Sequence, residues 1–310
     1  MMISVEKSAT LPEIVKRLEK KGVIPIKKKC YKCNTTLTSY FYKADVKYFY
    51  CMVCNDGTAW NKNSHLFNMK VSLSELKILL SLYIDNHSIT NAHSILNSDY
   101  VSVTMSKTAV TRYFKLFSQV VMKFYDDNHK NILLEGHVEI DETQLYKEKI
   151  SKAPGRPYEY SNIWLIGLKE RDSSKFLIFP TEKRSEEVFI PILLGHVRNK
   201  SIIYTDSFSV YVNNRKMIPE SKLEKWDYIH KFVNHSKCFV NEIFKDIHTN
   251  NIERFWRTVK EHIKKHKTRS LYMLCIGRFY FHRSLDKKAQ LIYLGNALQR
   301  NDRLNEELDL

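Results

Sequence analysis

The chain has 310 residues, with 50 Lys and Arg against 34 Asp and Glu, a formal net charge of +16. That excess calls for a polyanionic partner, with nucleic acid ahead of an acidic membrane surface. A hydrophobic content of 43% excludes a largely disordered chain, and the absence of any run of about 18 apolar residues speaks against a transmembrane helix.

Residues 1–27 predict a short amphipathic helix over Leu11–Lys21, then an extended stretch, Val23–Ile26. Its mixed charge does not suit a secretory signal. As a helix lying on a membrane it is a weak candidate.

Residues 28–68 hold two cysteine pairs, Cys30-x2-Cys33 and Cys51-x2-Cys54, with 17 residues between them; Cys238 and Cys275 stand alone. This pattern belongs to metal binding in a reducing compartment, not to a secreted disulfide framework. Each pair bends into a knuckle, and two knuckles complete a closed tetrahedral set of four thiolates for structural Zn2+. A redox CxxC would need one pair only. Aromatic-rich Ser39–Lys43 and Lys47–Tyr50 predict a hairpin between the knuckles, and Asn55-Asp56-Gly57 a tight turn after the second. The segment is expected to be a zinc ribbon. Lys27, Lys28, Lys29 and Lys32 beside it favour contact with nucleic acid.

Residues 69–130 predict three helices, Leu73–Asn86, Ser88–Ser98 and Met105–Phe124, in a helix-turn-helix-like order. The third would present Lys107, Thr108 and Arg112 to a major groove. Three such helices can equally be a packing module, and that alternative stays open.

From 131 to 285 the pattern becomes mixed. Gly136–Asp141, Ile163–Leu168 and Phe176–Phe179 predict strands and Glu186–Val197 a helix; Ser201–Asp206 and Tyr228–Val233 are two more strands, and Thr249–Lys265 is a basic amphipathic helix. Ser151–Tyr158, with two prolines and a glycine, is a loop. The order matches an α/β, RNase H-like catalytic domain, a mixed sheet with flanking helices. Residues 286–310 are expected to be a C-terminal tail. Asp141 and Asp206 end strands, and Glu253 lies early in the last helix. Taken singly, each acid suits a turn or a helix dipole. Together they could bridge two divalent ions, Mg2+ or Mn2+, about 3.5–4 Å apart, as phosphoryl transfer requires.

Four stretches carry a resemblance: Val138-Glu-Ile-Asp-Glu-Thr143, Ile203-Tyr-Thr-Asp-Ser207, Val233-Asn-His-Ser-Lys237 and His248-Thr-Asn-Asn-Ile-Glu-Arg-Phe-Trp256. They resemble, in order, the signature blocks of the Merlin superfamily of cut-and-paste DNA transposases and of related bacterial insertion-sequence transposases with a zinc-ribbon N-terminus. The similarity covers roughly residues 28–285. It implies a metal-dependent DDE transposase with Asp141, Asp206 and Glu253 as catalytic, metal-binding acids. It also implies binding of terminal inverted repeats by the ribbon and helical domain, DNA cleavage, strand transfer into target DNA, and a homodimer or larger assembly on DNA.

The resemblance also weighs neighbouring residues. Lys260, two turns beyond Glu253 on the same helix face, suits a phosphate of the transposon end or is simply a solvated lysine. Arg254, Arg257, Lys264, Lys265 and Lys267 are expected at phosphates, a solvated basic face being the plain alternative. Asn250 is a reserve ligand, because some relatives use Asn as the third. Glu142 faces the opposite side of its strand from Asp141 and is left out. His230, His235 and His248 are expected to orient structure.

A host-adopted, catalytically inactive DNA-binding descendant is the main alternative, and another RNase H-like nuclease the third. The nucleus is expected in a eukaryote, with His262–Arg269 as an import signal, and the nucleoid in a bacterium. The charge is localised. Residues 1–33 hold 9 basic and 3 acidic residues, and residues 251–270 hold 7 and 2, so two short stretches carry most of the excess.

Overall fold

The computed structural model describes residues 10–67, 69, 71–99, 101, 104–150, 159–213, 218–233, 248–263 and 269–300. The chain divides into two compact units, 1–125 with 277–310, and 126–276. The predicted loop Ser151–Tyr158, and Lys264, Lys265, Lys267, His235 and Cys238, lie outside the described residues.

The first unit opens with α1 (Leu11–Lys20), which starts at a Thr10/Glu13 capping box. Its apolar face, Ile14, Val15 and Leu18, is buried within the unit rather than left for a membrane. Next come the short strands β1 (Lys28–Lys29) and β2 (Thr36–Leu37), then an antiparallel sheet of β3 (Tyr40–Lys43), β4 (Val46–Cys51) and β5 (Asp56–Ala59). Of the predicted tight turn Asn55-Asp56-Gly57, Asn55 does turn the chain, while Asp56 and Gly57 begin a third strand paired with the end of β4. Between the sheet and α1, Lys47 is fully buried and forms an ion pair with Glu19.

Helices α2 (Leu73–Ile84), α3 (Ile89–Leu96) and α4 (Lys107–His129) follow. Ser72, Ser88 and Ser106 each accept a backbone N–H of the helix they precede, so all three starts are side-chain capped. Tyr83 of α2 packs edge-on against Phe114 and Phe117 of α4, at ring distances of 5.3 and 5.4 Å.

The second unit is built on one five-stranded sheet. Its strands are β6 (His137–Ile150), β7 (Glu159–Glu170), β8 (Phe176–Thr181), β9 (Ile202–Asp206) and, after the small hairpin β10 (Val212–Asn213) and β11 (Glu220–Ser221), β12 (Ile229–Val233). The spatial order is β12-β9-β6-β7-β8, with β6–β7–β8 antiparallel and β6–β9–β12 parallel. This is a mixed sheet of the RNase H-like kind. Strand β6 runs well past the predicted Asp141, because its far half pairs with an equally lengthened β7. Helix α5 (Glu186–His196) connects β8 to β9 and buries Phe189 and Leu193 against Val138, Ile140, Leu168, Leu177 and Ile203. Helix α6 (Asn250–Ile263) meets the other face, where Phe255 packs on Phe176.

Helix α7 (Arg269–Ser284) contributes residues to both units, as does α4. The stretch set apart as a tail contains α8 (Lys287–Leu298), which belongs to the first unit. Gly295 there lies against Val23 so closely that a Cβ would come within 2.9 Å of the Val23 backbone nitrogen. Leu294 and Leu298 are buried. Among the described residues no helix is long and apolar enough to cross a membrane.

Candidate functional site

The four paired cysteines come together. Their sulfurs all lie within 4.8 Å of one another, with Cys30–Cys54 at 3.9 Å and Cys33–Cys51 at 3.6 Å. Each knuckle turns through a left-handed asparagine just after its second cysteine, Asn34 at φ 60° and Asn55 at φ 51°, a conformation asparagine tolerates well. Backbone N–H groups of Lys32 and Cys54 donate to the Cys30 and Cys51 sulfurs at 3.4 Å. The Cys33 thiol is brought down to about 6, chiefly by its contact with the Thr35 hydroxyl. Four soft sulfur donors converging without a fifth group can hold a tetrahedral metal ion.

The acids are brought together by strand register. Parallel pairing of β6 with β9 sets Glu139 opposite Tyr204. Asp141 and Asp206 each lie two residues further on, so alternation leaves them side by side on one sheet face. Helix α6 crosses that face. Its Trp256 Nε1 donates to Asp141 Oδ2 at 3.0 Å, and its indole lies where only a glycine fits, since a Cβ on Gly167 would meet the ring at 2.4 Å. Glu253, three residues earlier, accepts from Thr249 Oγ1, and Phe208 N–H donates to Asp206 Oδ1 at 2.9 Å.

Burial, then the charge of Asp206 and to a lesser degree that of Glu253, pushes the Asp141 carboxyl up to about 7. The three acids thus share one electrostatic environment. Among the described residues, however, the cysteines are the only set of three or more ligand groups already drawn within 4.8 Å.

What seats α6 is a carboxylate that the sequence pattern does not single out. Glu139 is fully buried on the Asp141 face. It accepts the Ile252 N–H at 2.8 Å and the Asn251 side-chain amide at 2.9 Å, and pairs with Arg171 Nε at 2.7 Å. Arg171 also donates to the His248 carbonyl and stacks 3.5 Å from the centre of the Tyr204 ring. Glu139 is therefore both counter-ion and cap at the positive end of α6. One signal for it does exist in the sequence: Glu139 and Asp141 alternate onto one face, opposite Val138 and Ile140.

Glu142 does face the other way, 4.0 Å from Arg184. It is nonetheless close enough to the acid pair that burial and the charges of Asp141 and Asp206 push it up to about 8, against the pull of Arg184. His230 is buried between Thr205 Oγ1 (2.9 Å) and Ser221 Oγ (2.8 Å), and burial lowers it to about 4, the state of a neutral structural histidine. His248 lies at the start of α6 in the Arg171 network. Asn250 is the exposed first residue of α6. Arg254, Arg257 and Lys260 are exposed along α6 beside Glu253, and Lys107 and Arg112 are exposed in the first turns of α4.

No curated protein matches the chain. Residues 133–273, which include all three acids, match the family model of the ISXO2-like transposase domain, in agreement with the resemblance of the sequence blocks.

Proposed function

We propose that the protein is a cut-and-paste DNA transposase that binds terminal inverted repeats, cleaves the phosphodiester at the element ends and joins the freed 3'-hydroxyls to target DNA. The observation that carries this is Asp141, held up to about 7 by burial and by Asp206 and Glu253 inside a transposase-family sheet. An all-carboxylate set under mutual repulsion fits hard divalent cations, whose charge would relieve it. Asp141, Asp206 and Glu253 would hold Mg2+ or Mn2+. Such ions, when bound, supply Lewis-acid polarisation of the scissile phosphate and an activated water or 3'-hydroxyl.

The chain's own residues do the positioning. Trp256 and the Phe208 N–H each fix one oxygen of an aspartate. Glu139 and Arg171 set the start of α6, and so the place of Glu253. Arg254, Arg257 and Lys260 line the exposed face next to Glu253 and would grip flanking phosphates. The four cysteines would hold Zn2+ in a structural role, the ribbon and α2–α4 would bind the repeats, and two protomers would pair the two ends.

The test is cleavage and strand transfer on duplexes carrying the element's terminal repeats, with and without Mg2+. Wild-type activity should vanish in Asp141→Ala and Asp206→Ala while duplex binding persists. Activity surviving either substitution would sink the mechanism.

A further inference from the structure

One face of the ribbon holds a cavity of about 290 Å³ whose lining is basic and carries no acid. Lys28, Lys29, Lys32 and Lys62 surround it, with Tyr31 and Thr58. Three of the lysines are held in place. Lys28 Nζ donates to the carbonyls of Trp60 (2.8 Å) and Lys62, Lys32 pairs with Asp56 at 2.8 Å, and the Lys62 ammonium sits 3.2 Å over the Tyr31 ring. Among the described residues neither Lys29 nor Lys62 has a carboxylate partner.

An independent feature points the same way. Thr58 is 2% exposed, and its hydroxyl oxygen has no hydrogen-bond partner. Leaving a buried hydroxyl unpaired is unfavourable, a cost that a bound acceptor would remove. Positioned ammonium groups plus one unspent hydroxyl donor are the chemistry of an oxyanion seat. The volume takes a phosphodiester group with waters, given the roughly 30 Å³ share of one water.

We propose that this pocket seats one backbone phosphate of DNA, with Lys62 and Lys29 supplying charge and the Thr58 hydroxyl a buried hydrogen bond. The proposal rests on the DNA-binding function above and adds to it a place and a chemistry. Its occupant is a phosphodiester because the lining gathers Lys28, Lys29, Lys32 and Lys62 with no acid among them, a field suited to a polyanion.

The experiment uses the full-length, zinc-loaded protein without Mg2+, a short labelled duplex and a salt titration. Lys62→Gln should reduce the slope of log affinity against log salt by about 0.9, the value for a single neutralised phosphate. Thr58→Val should weaken binding roughly tenfold with the slope unchanged, as removal of one charge-assisted hydrogen bond predicts. It should leave thermal stability at or above wild type, because the hydroxyl it removes is unpaired. Lys43→Gln, exposed on β3 outside the pocket, is the control for general charge.

Inorganic phosphate should compete with the duplex beyond chloride of equal ionic strength, and Thr58→Val should abolish that excess. If phosphate acts through Thr58 but Thr58→Val binds duplex as wild type does, the seat serves a free anion and the proposal fails. It fails too if Lys62→Gln behaves like Lys43→Gln. In both cases intact wild-type binding would leave the transposase function standing, whereas a wild type that binds no duplex overturns both.

Discussion

The four cysteines and the three acids are both clusters of groups that repel once ionised, yet they are assembled in opposite ways. The cysteines close over a short stretch, with Cys30 and Cys54 only 24 residues apart, through two knuckles and one small sheet. The acids depend on a parallel strand pair and on a helix whose Trp256 reaches Asp141 across 115 residues. The ribbon therefore draws its order from a handful of local turns and the ion it would hold. The acid cluster draws its order from a buried network, Glu139 with Arg171 and the start of α6, which forces carboxylates together before any cation arrives.

The contrast is broken most severely at the ribbon. Chelation of the zinc, or Cys51→Ser, should unfold β3–β5, since structural zinc contributes apparent free energies of about 10–16 kcal/mol to small sites. Hydrogen exchange should show those amides losing protection while β6, β7 and β9 keep theirs. Equal loss in the large sheet would refute the local account.

At the acid cluster the largest effect should come from Glu139, not from Asp141, Asp206 or Glu253. Glu139→Ala removes the buried carboxylate that faces Arg171 and leaves the Ile252 N–H without its acceptor, and should cost about 3–5 kcal/mol in denaturant unfolding. A cost near zero would mean that α6 is held by its apolar face alone.

The acids should act in the reverse sense. Asp141 sits at about 7 when folded, against 3.8 as the ordinary value. Between those values the folded chain holds a proton that the unfolded chain releases, so metal-free stability should fall as pH rises from about 4 to 7. At about 1.4 kcal/mol per unit, Asp141→Asn should recover roughly 2–4 kcal/mol at pH 7 and flatten the pH dependence of the melting temperature. A metal-free protein equally stable at pH 5 and pH 7 would contradict this.

The smallest effect tests the packing of helix on sheet. Gly167→Ala puts a methyl into the Trp256 indole and should cost about 1–3 kcal/mol by overpacking. It should also shift tryptophan emission as Nε1 leaves Asp141. Unchanged emission and stability would show that α6 yields easily.

Much of this was legible in one dimension. The knuckles follow from the cysteine spacing, the strand order from alternation, and α6 from its amphipathic period, because each depends on neighbours a few residues away. Asp206 and Glu253 could be singled out because a strand end and a helix start are local features, and Asp141 because it closes a short alternating run, although β6 continues past it. Their mutual repulsion could not, since it depends on β6 lying beside β9 in one particular register. Glu139 reads as an ordinary polar residue in a strand until α6 covers it. Glu142 was correctly placed on the opposite face, yet alternation carries no information on how far charge reaches through a dry interior.

The C-terminal segment shows the same limit. Residues 286–310 were expected to be a tail, whereas close packing of Gly295 on Val23 makes α8 part of the first unit. Sequence by itself marked the four cysteines as a candidate metal set, most of the larger strands and helices between residues 131 and 265, and where basic charge concentrates, because short-range patterns carry all three. Only the tertiary structure decided that Glu139 caps α6 while Asp141 lies beside Asp206, where α8 packs, and that the Thr58 hydroxyl is among the buried groups left without a partner. Those properties arise from burial and from the meeting of residues far apart in the chain.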